Sequence, residues 1–583
     1  MADYKTPGVY IEEISTLPAS VAPVATAIPA FVGYTEKRVR DRKTLDPNTP
    51  VMISSLLEYE QIFGRAYDEA FSITLTGPST TLEDTSFTIT DPGSLSPYMM
   101  YYQVRMYFAN GGGRCYIVSV GDETYADVQD PSANNDLDVT DLEEGINALE
   151  KEDEPTILVV PEAALLTDAN DRQTINDALL GQCAKLQDRF AIMDVVETTS
   201  DDDVLADATG FRGEVGMNDL KYGAAYYPSL KTTIRRYFTE SSIIITDNRG
   251  GAGAGPYHLF PFSLMKEGSD FTVGQFIITN NNEISGDDFT IGTDTLTADT
   301  DFAVGSDAAG SAENLAAAIN GLASTDFEAS HLPHSNIVLI TAAVPGGSGA
   351  VTLNYASNDA DDGATVTAMA TVAADKELYN LISDEFDKKR LTLYPSGAMA
   401  GVYARVDRNR GVWKAPANVS LNLVDEPNIL VTSEEQAPLN VDADTGKSIN
   451  VIRQFYQKGT IVWGARTLAG NDNEWRYVPV RRLFIFIEES IEKASEPVVF
   501  EPNDANTWSK MKAMIENFLT GLWRDGALAG PTPEQAFFVK VGLGQTMSAI
   551  DILEGRLIID VGIAAVRPAE FIILRFQHKL QEA

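Results

Sequence analysis

The sequence has very few of the residues that metal centres and disulfide scaffolds need. Only two cysteines, Cys115 and Cys183, and four histidines occur among 583 residues. Two cysteines exclude a disulfide scaffold, and the paired Cys-x-x-Cys motifs of a zinc site are absent. No Ser-His-Asp arrangement can be nominated, and no Gly-x-Ser-x-Gly motif occurs. We therefore expect no catalytic residues, no metal site and no cofactor.

Long apolar runs are missing as well. No stretch approaches the roughly 18 apolar residues that a membrane span needs. Residues 1–15 lack the apolar core of a secretory signal and carry acidic side chains early. These features predict synthesis in the cytoplasm and no direct insertion into a membrane.

Positive charge is scarce and unevenly distributed. The chain has 44 Lys+Arg against 84 Asp+Glu, a net charge of −40, which argues against nucleic acid as a partner. Residues 376–583 hold 24 Lys+Arg and 27 Asp+Glu and are near neutral, so almost all of the negative charge lies in residues 1–375. We infer that the last third contacts another protein surface and that the rest faces solvent.

The chain is longer than one ordinary domain, and its apolar runs alternate in type. Buried strands alternate with helices such as Arg172–Leu186, which predicts an open α/β layer arrangement. The predicted strands are Ala30–Tyr34, Cys115–Val120, Thr156–Val160, Phe190–Val196, Tyr222–Tyr227 and Ser242–Thr246. A helix is predicted over Ser54–Phe63 and a surface hairpin over 71–97.

Residues 267–375 break this pattern. They contain no Lys or Arg but 16 Asp+Glu, and they alternate short Thr/Val/Ile runs with Gly, Asn and Asp turns. We interpret them as a small β-rich domain, with one helix over Ala312–Leu322, inserted into the α/β domain. A disordered acidic loop is the alternative.

The C-terminal third has the clearest periodicity. Helices are predicted over Val478–Lys493 and from an N-cap at Asn503 or Asp504 to Arg524. Trp508, Met511, Ile515, Phe518 and Leu522 form an apolar stripe on one face of the second helix. Strands are predicted over Val498–Glu501, Ala536–Val541, Arg556–Val566 and Glu570–Gln577.

One segment imitates a nucleotide-binding loop. Thr445-Gly446-Lys447-Ser448 matches the end of the phosphate-binding motif, but Val441 stands where the motif requires its first glycine. Asp442 and Asp444 would repel phosphate. We therefore do not expect a nucleotide site here.

The N-terminal segment carries an isolated strand pattern. Prolines interrupt residues 1–29, so no helix can run through them. The strand-forming residues within Gly8–Ile14 have no hairpin partner nearby. This strand must pair either with the distant core of its own chain or with another chain.

Several segments resemble the contractile tail sheath family, which includes myophages, contractile bacteriocins and extracellular contractile injection particles. The matches run in the family's order along the chain and are densest near the C-terminal end. They are Thr6–Glu13, Phe31–Gly33, Phe108–Gly112, Pro395–Asp407, Arg410–Asn418, Trp463–Thr467, Trp475–Val478 with Arg481-Arg482, Phe500–Asn503, Gly521–Trp523, Gly526–Gly530 and Pro568–Phe571.

The resemblance implies a multidomain α+β and α/β fold. An inner α/β sheath domain would be built from N- and C-terminal segments, and an outer α/β domain would carry the inserted small β-rich domain. The predicted divisions are an extended arm (1–29), the N-terminal part of the inner domain with its hairpin (30–97), the outer domain (98–266), the insertion (267–375), the return of the outer domain (376–395), the C-terminal inner domain (396–566) and a C-terminal strand or arm (567–583).

The resemblance also implies how subunits join. Family members extend both termini, and each arm adds a strand to a neighbour's sheet. The arm residues here would be Val9, Tyr10, Ile11, Glu12, Ile14, Phe571, Ile572, Ile573, Leu574, Arg575 and Phe576. Tube contact by a helix of the inner domain would place Lys510, Lys512 and Arg524 towards the tube, although a helix packed inside the subunit with solvated cations is an alternative.

The function implied by the resemblance is that of a structural, non-enzymatic subunit. It would polymerise helically around an inner tail tube and contract to drive the tube through a target cell envelope. Its partners would be its own copies, the tube protein, and baseplate and tail terminator proteins, within a virion tail or an extracellular particle. The rival interpretations are an enzyme with an acidic accessory domain and a capsid-like or surface-layer protein.

Overall fold

The structure, a computed structural model, describes most of the chain in segments. The described residues are 21–69, 71–77, 85–91, 95–123, 137–197, 203–240, 242–249, 258–267, 271–322, 326–331, 335–343, 351–358, 363–372 and 375–575.

An eight-stranded sheet organises the larger part of the chain. Its six central strands are parallel, and an antiparallel strand closes each edge. In spatial order the strands are β24 (Gly459–Val462), β23 (Ile449–Phe455), β10 (Gly223–Tyr227), β9 (Phe190–Asp194), β8 (Ile157–Val159), β1 (Pro29–Thr35), β7 (Cys115–Asp122) and β4 (Pro50–Ile53). The predicted α/β class is confirmed.

Continuous apolar runs explain why the central strands lie inside the molecule. Every residue of β1 is buried, as a parallel strand covered on both faces requires. Helices α2 and α8 pack together, as do α3 and α4, and both pairs contact the sheet. The helices of this region are α1 (Leu56–Phe63), α2 (Met100–Ala109), α3 (Val139–Ala148), α4 (Ala169–Leu186), α5 (Val204–Gly213), α8 (Ser396–Arg410) and α9 (Ser433–Asn440).

The sheet crosses one of the predicted domain divisions. Strand β1 and strand β23, which fall in the predicted inner-domain segments, lie in the same sheet as β7 to β10 of the predicted outer segment. Parallel pairing joins strands that are distant in sequence through crossovers, so the order of elements along the chain does not reveal their neighbours. The division at residues 97 and 98 therefore falls within one sheet.

Three smaller sheets lie beside the large one. The predicted hairpin is present, and its first strand pairs in parallel with a strand 172 residues later, with Ser72 opposite Ile244. The first sheet has two strands, β2 (Val39–Arg40) and β3 (Lys43–Thr44). The second has four, in the spatial order β13 (His258–Pro261), β12 (Ile244–Arg249), β5 (Ser72–Gly77) and β6 (Ser86–Thr90). The third has three, in the order β21 (Arg390–Leu393), β11 (Leu230–Arg235) and β22 (Val424–Pro427).

The described residues of 271–372 form two further sheets and one helix. Antiparallel strands enclose a separate apolar core that includes Phe276, Phe289, Leu315 and Ile340. The elements are β14 (Phe271–Ile278), β15 (Asp288–Ile291), β16 (Asp294–Thr297), α6 (Ala308–Asn320), β17 (Phe327–His331), β18 (Ile337–Ala342), β19 (Leu353–Ala356) and β20 (Ala364–Val372). A mixed core containing Phe71, Phe262 and Phe386 joins β5, β12, β14 and helix α7 (Lys376–Phe386).

The C-terminal part has its own core between two long helices and a two-stranded sheet. Val21, Leu483, Ile515 and Leu519 belong to this core. Its elements are α10 (Val478–Ser495), α11 (Ala505–Arg524), α12 (Pro533–Ala536), β25 (Phe537–Val541), α13 (Ala549–Leu553) and β26 (Ile559–Ile563). Below, residues 478–566 are called the C-terminal lobe.

Two predicted strands are absent from the described residues. The prediction of a strand over Val498–Glu501 is wrong, because a 3-10 turn ends at Val498 and Phe500 has a φ of 72° that no strand residue adopts. Residues 570–575 of the predicted strand Glu570–Gln577 also form no strand in the single chain, because no neighbouring strand donates to them.

Candidate assembly surfaces

Helix α11 presents the predicted cations on the surface of the C-terminal lobe. The Asp504 side chain accepts hydrogen bonds from the N–H groups of Asn506 and Thr507, both at 3.0 Å, and caps the helix. Lys510 and Arg524 are exposed, and Lys512 lies 3.7 Å from Glu516 in an exposed ion pair. These cations are therefore available to a partner.

The apolar stripe of α11 anchors that helix on its own lobe. Met511, Ile515, Phe518 and Leu522 are buried as predicted, together with Leu519. Trp508 is only half-buried, and its indole N–H donates to Asn503 Oδ1 at 2.6 Å. The buried face and the charged face are thus separate, as an amphipathic surface helix requires.

The two-stranded sheet of the lobe has two edges that no other strand of the described chain occupies. β25 and β26 pair antiparallel from Phe537 opposite Ile563 to Val541 opposite Ile559. Phe538 on β25 is half exposed, and Lys540 Nζ lies 4.8 Å from its ring centre. Open edges with exposed backbone are sites where another strand can add.

The edges of the eight-stranded sheet are less accessible. Beyond β24, the backbone N–H of Asn418 donates to Val462 O at 2.8 Å, and Val462 N–H donates to Val419 O at 3.1 Å. The loop through Val419 therefore covers that edge. At the other edge, β4 is only four residues long and begins with Pro50, two features that discourage strand addition.

The chain that follows β26 leaves the lobe and reaches the large sheet. Val566 N–H donates to Ala527 O at 3.2 Å, within the lobe. Four residues later, the Glu570 carboxylate binds Arg466, which follows β24. The segment thus bridges the two parts of the molecule before it ends.

Beyond Glu570 the chain becomes exposed and apolar. Phe571, Ile572, Ile573 and Leu574 are 71–79% exposed. Isolated apolar residues are common on surfaces, but four large ones in succession indicate an unfilled contact. We call residues 571–575 the C-terminal arm. Phe576 and the N-terminal candidates Val9, Tyr10, Ile11, Glu12 and Ile14 lie outside the described residues.

Adjacent arginines on α10 fasten the lobe to the large sheet. Arg482 donates to both carboxylate oxygens of Asp407 on α8, at 3.0 and 2.6 Å, and both side chains are 4% exposed. The same guanidinium donates to Thr26 O and lies 4.7 Å from the Tyr403 ring centre. Arg482 therefore fixes the orientation of α10 through contacts that a lysine could not reproduce.

Arg481 makes a second attachment. Its guanidinium lies between the rings of Tyr222 and Trp475, at 4.8 and 4.7 Å from their centres. Its Nη2 also donates to Glu488 at 2.9 Å. Cation–π contacts on two sides hold α10 against the chain that enters β10.

An internal carboxylate fills the crevice where an open α/β sheet usually binds a ligand. Strands β7 and β8 lie on opposite sides of β1 in the sheet. The strand order therefore reverses at β1, and open α/β sheets usually bind ligands at such a point. Glu162 follows β8, is fully buried, and accepts hydrogen bonds from the N–H groups of Tyr34, Met99 and Met100 at 3.0–3.3 Å. Burial raises the pKa of Glu162 to about 7, against the effect of these donors.

Two further anion-binding positions are filled in the same way. Asp194, at the end of β9, accepts the N–H of Ser396 at the start of α8 at 2.8 Å. In the segment that imitates a phosphate loop, Asp442 accepts the N–H groups of Thr445 and Gly446 at 2.7 and 3.1 Å. The chain's own carboxylates thus pair with these backbone N–H groups.

The lysine of the segment that resembles a phosphate loop, Lys447, binds backbone carbonyl groups. Lys447 is buried, and its Nζ donates to the carbonyl oxygens of Arg212 and Val215, at the end of α5. Its ammonium therefore stabilises a helix C-terminus. In the described part of the chain, no group of three His, Cys, Asp or Glu side chains is placed to hold a metal ion, and no helix combines the length and apolar content of a membrane span.

Sequence comparison with known proteins finds similarity to tail sheath proteins over part of the chain. The family profile described as the phage tail sheath C-terminal domain matches residues 470–579. A tail sheath protein of Vibrio phage KVP40 is 26% identical over 144 residues, which cover 25% of this chain and 21% of the phage protein. The chain thus aligns with about a fifth of that relative's length.

Solved structures match over nearly the whole chain. A chain of the anti-feeding prophage baseplate is 26% identical, with a TM-score of 0.52, covering 99% of this chain and 100% of that chain. A chain of the contracted sheath complex of the extracellular contractile injection system PVC is 26% identical, with a TM-score of 0.51 and 99% coverage of both. The resemblance to contractile tail sheath proteins is confirmed.

The sequence did not identify the residues that hold the root of the C-terminal arm. Arg466 and Glu570 both lie in segments that resemble the sheath family, but neither had an assigned role. The available signal was that Glu570 is the only acidic residue between Asp560 and Glu582. A lone carboxylate in an apolar and cationic tail indicates a specific partner.

Proposed function

We propose that the chain is the structural subunit of a contractile sheath, which polymerises helically around an inner tube and contracts to drive that tube through a cell envelope. The observation that carries the proposal is the exposed C-terminal arm together with a two-stranded sheet that has two open edges. The full-length likeness to a chain of a contracted sheath complex supports it.

Strand exchange would join the subunits. The C-terminal arm of one copy would add to one edge of the β25–β26 sheet of a neighbour, and the N-terminal residues around Val9–Ile14 of another copy would add to the other edge. Two arms and two open edges give equal numbers of donors and acceptors. Because each contact is head-to-tail, the assembly continues as a helix unless the rotation closes it.

Contraction would require no active site. Backbone hydrogen bonds in the added strands would keep neighbours joined while the bodies rotate, since each arm would be a single connection to its neighbour. The extended form would be a metastable packing that the tube and baseplate maintain, and release would allow repacking into a second lattice. The filled anion positions at Glu162, Asp194 and Asp442 agree with a structural role.

The charge distribution suggests the orientation of the subunit. The near-neutral C-terminal lobe would lie beside the tube, with Lys510, Lys512 and Arg524 of α11 towards it. Residues 267–375, which have no basic residue, would be an outer decoration inserted into the α/β domain and facing solvent.

The proposal also specifies partners and location. The sheath would consist of copies of this chain and contact a tube protein, a baseplate and a terminator protein. The chain would be made in the cytoplasm and act in a virion tail or an extracellular contractile particle.

Electron microscopy of the purified chain tests the proposal. We expect hollow tubes of uniform diameter that form without any other component, in the contracted lattice. Flat lattices or closed shells would favour a surface-layer or capsid-like protein. Turnover by a monomer that forms no polymer would favour an enzyme.

A further inference from the structure

The carboxylate of Glu570 has a complete set of partners at the root of the C-terminal arm. Arg466 donates to it from Nε at 2.9 Å and from Nη2 at 2.6 Å, in a two-pronged contact. Asn440 Nδ2 donates at 2.8 Å and the Tyr477 hydroxyl at 3.0 Å. We call these four side chains the arm clamp.

The clamp is built on the rigid part of the molecule. Arg466 is 4% exposed, and its remaining Nη1 donates to Asn440 O at 2.9 Å. Its backbone N–H donates to Asn450 Oδ1 at 2.7 Å, and Asn450 Nδ2 returns a bond of the same length to Arg466 O. Because Asn450 lies on β23, the clamp is anchored in the eight-stranded sheet.

The clamp partly shields the Glu570 side chain, which is 23% exposed, although Glu570 as a whole residue is exposed, as is Ala569 before it. The apolar residues Phe571–Leu574 that follow are 71–79% exposed. The described arm beyond Glu570 has no strand partner within the chain. Glu570 is therefore the last fixed point before the apolar arm.

A competing site for the arm lies next to it. A groove of about 1020 Å³ is lined by Trp413, Trp463 and Ala437, by polar residues and the clamp side chains, and by the first two arm residues, Phe571 and Ile572. The hydrophobic effect favours collapse of a free apolar segment into such a groove. A collapsed arm could not reach a neighbouring subunit.

We propose that Glu570 is a positioning residue that fixes the exit direction of the C-terminal arm, holding the arm beyond Ile572 out of the Trp413–Trp463 groove and available to a second copy of this chain. This inference rests on the proposed function, since it assigns how the arm of that sheath is presented. The donors outweigh burial and hold the pKa of Glu570 below its ordinary value, so the clamp keeps its charge in mild acid.

The test compares two conservative variants of the full chain. Glu570→Gln keeps the shape of the side chain but removes its charge. Glu488→Gln is the matched control, because it removes the Glu partner of another buried arginine, Arg481 on α10, whose side chain is not part of the clamp. We expect both variants to fold, and Glu570→Gln to polymerise at least about tenfold more slowly while the control polymerises normally.

Readouts on the monomer separate positioning from stability. In the Glu570→Gln monomer, we expect amides 571–575 to exchange more slowly and tryptophan fluorescence to shift to shorter wavelength, because the arm enters the groove. If that variant fails to fold, Tyr477→Phe and Asn440→Ala weaken the clamp without leaving a carboxylate unpaired, and both should show the same changes to a smaller extent.

Three results would overturn the inference. The first is that Glu570→Gln polymerises normally. The second is that it polymerises slowly although the amide exchange of 571–575 and the tryptophan fluorescence match those of the control. The third is that the variants that weaken the clamp polymerise normally. Failure of the unmodified chain to form tubes contradicts the proposed function instead. In that case the monomer readouts still decide whether Glu570 holds the arm out of the groove.

Discussion

The acidic region 271–372 and the C-terminal lobe with its arm differ in how much apolar side-chain surface they expose. In the described part of 271–372, Val366 is the only exposed large hydrophobic residue, at 36%. The lobe and arm expose many, namely Val499, Phe500, Phe538, Leu543, Ile550, Leu553, Ile558 and Phe571–Leu574. One region buries its apolar residues in its own core and in the core it shares with β5, β12 and α7, whereas the other leaves them for a partner.

Charge follows the same contrast. Residues 267–375 have no Lys or Arg, so no Lys or Arg ion pair can form within them and their cohesion depends on the apolar core and hydrogen bonds. The last third is near neutral and joins its parts through arginines such as Arg466, Arg481 and Arg482. A surface with little net charge can approach another acidic subunit with less repulsion.

Removal of the arm is the largest predicted perturbation of this contrast. A chain that ends after Glu570 keeps the clamp but loses the exposed apolar residues. We expect a folded monomer with an unchanged melting temperature and no polymer, measured by circular dichroism and electron microscopy. Tubes of normal length from the truncated chain would show that the arm is not a subunit contact.

The same loss is expected at the other terminus. Deletion of residues 1–20 removes the second predicted strand and ends just before Val21, which lies in the core of the lobe. A folded monomer without polymer would support an intermolecular strand. Loss of folding would show instead that the segment pairs within its own chain, which is the alternative that the sequence left open.

The buried ion pair between lobe and sheet should carry a large share of local stability. Asp407→Asn leaves the Arg482 guanidinium buried without its counter-charge, which typically costs about 3–5 kcal/mol. Urea denaturation measures the change. Glu516→Gln, which removes the exposed partner of Lys512, is the control and should change stability by about 0–1 kcal/mol. Equal effects of the two variants would contradict a special role for the joint.

The cations of α11 should affect assembly around a tube but not the assembly of tubeless, contracted-like polymer. Changing Lys510 and Lys512 to Glu reverses charge on the surface proposed to face the tube, without touching the buried stripe. We expect impaired assembly around a tube and normal tubeless, contracted-like polymer, counted in micrographs. Equal loss of both forms would indicate a folding or lattice defect, and an unchanged count would place the tube contact elsewhere.

Element types in both regions were predictable, but the contacts between elements were not. The stripe of α11 and the N-cap Asp504 follow from local spacing, and the structure has both. The parallel pairing of β1 with β7 and β8 joins segments about 85 and 130 residues apart, and spacing alone carries no such information. Phe500 failed as a strand residue because Pro497 and Pro502 flank a turn with a positive φ.

The site was predictable only in part for the same reason. The resemblance indicated which residues form the arm, and α11 presents Lys510, Lys512 and Arg524 as an amphipathic helix should. The clamp could not be predicted, since it depends on where the end of β24, the end of α9 and the chain after β26 meet. Similarly, nothing in the sequence marks Glu162 as the carboxylate that caps α2.

Buried carboxylates predict a moderate dependence of stability on pH. Burial raises the pKa of Glu162 and Asp194 to about 7 and that of Glu123 to about 9. Between the ordinary values and these raised values, the native state binds more protons than the unfolded state. The contribution of these groups to stability is therefore fully present below about pH 4. It is lost as pH rises through 7 for Glu162 and Asp194 and through 9 for Glu123, by at most about 1.4 kcal/mol per pH unit for each group.

Asp194→Asn tests this dependence at one position. The amide oxygen of asparagine can still accept the N–H of Ser396, but the side chain no longer titrates. We expect a smaller slope of the unfolding free energy between pH 4 and pH 7 by urea denaturation, with little change near pH 4, where Asp194 is protonated in the folded protein. An unchanged slope would mean that Asp194 titrates normally in the folded protein.

The smallest effect on assembly is expected for the acidic region itself. Residues 267–375 enter and leave beside each other, because β14 pairs with β20 from Phe271 opposite Val372 to Ile278 opposite Ala364. A short Gly/Ser linker can therefore replace them, and its closure entropy changes only slowly with length. Helix α7 must be kept, because Leu378, Ile382 and Phe386 belong to the core that β5 and β12 also form.

The replaced chain should form tubes like the full chain but with thinner walls. The reason is that this region leaves little exposed apolar surface and no cation for an acidic neighbour, so it offers few lattice contacts. A matched variant that keeps β14 and β20 and shortens only the chain between them controls for loss of Phe271 and Val273 from the shared core. If the control polymerises and the full replacement does not, the defect comes from the loss of the shared core. If neither polymerises, the acidic region carries lattice contacts, and the contrast between the two regions is wrong.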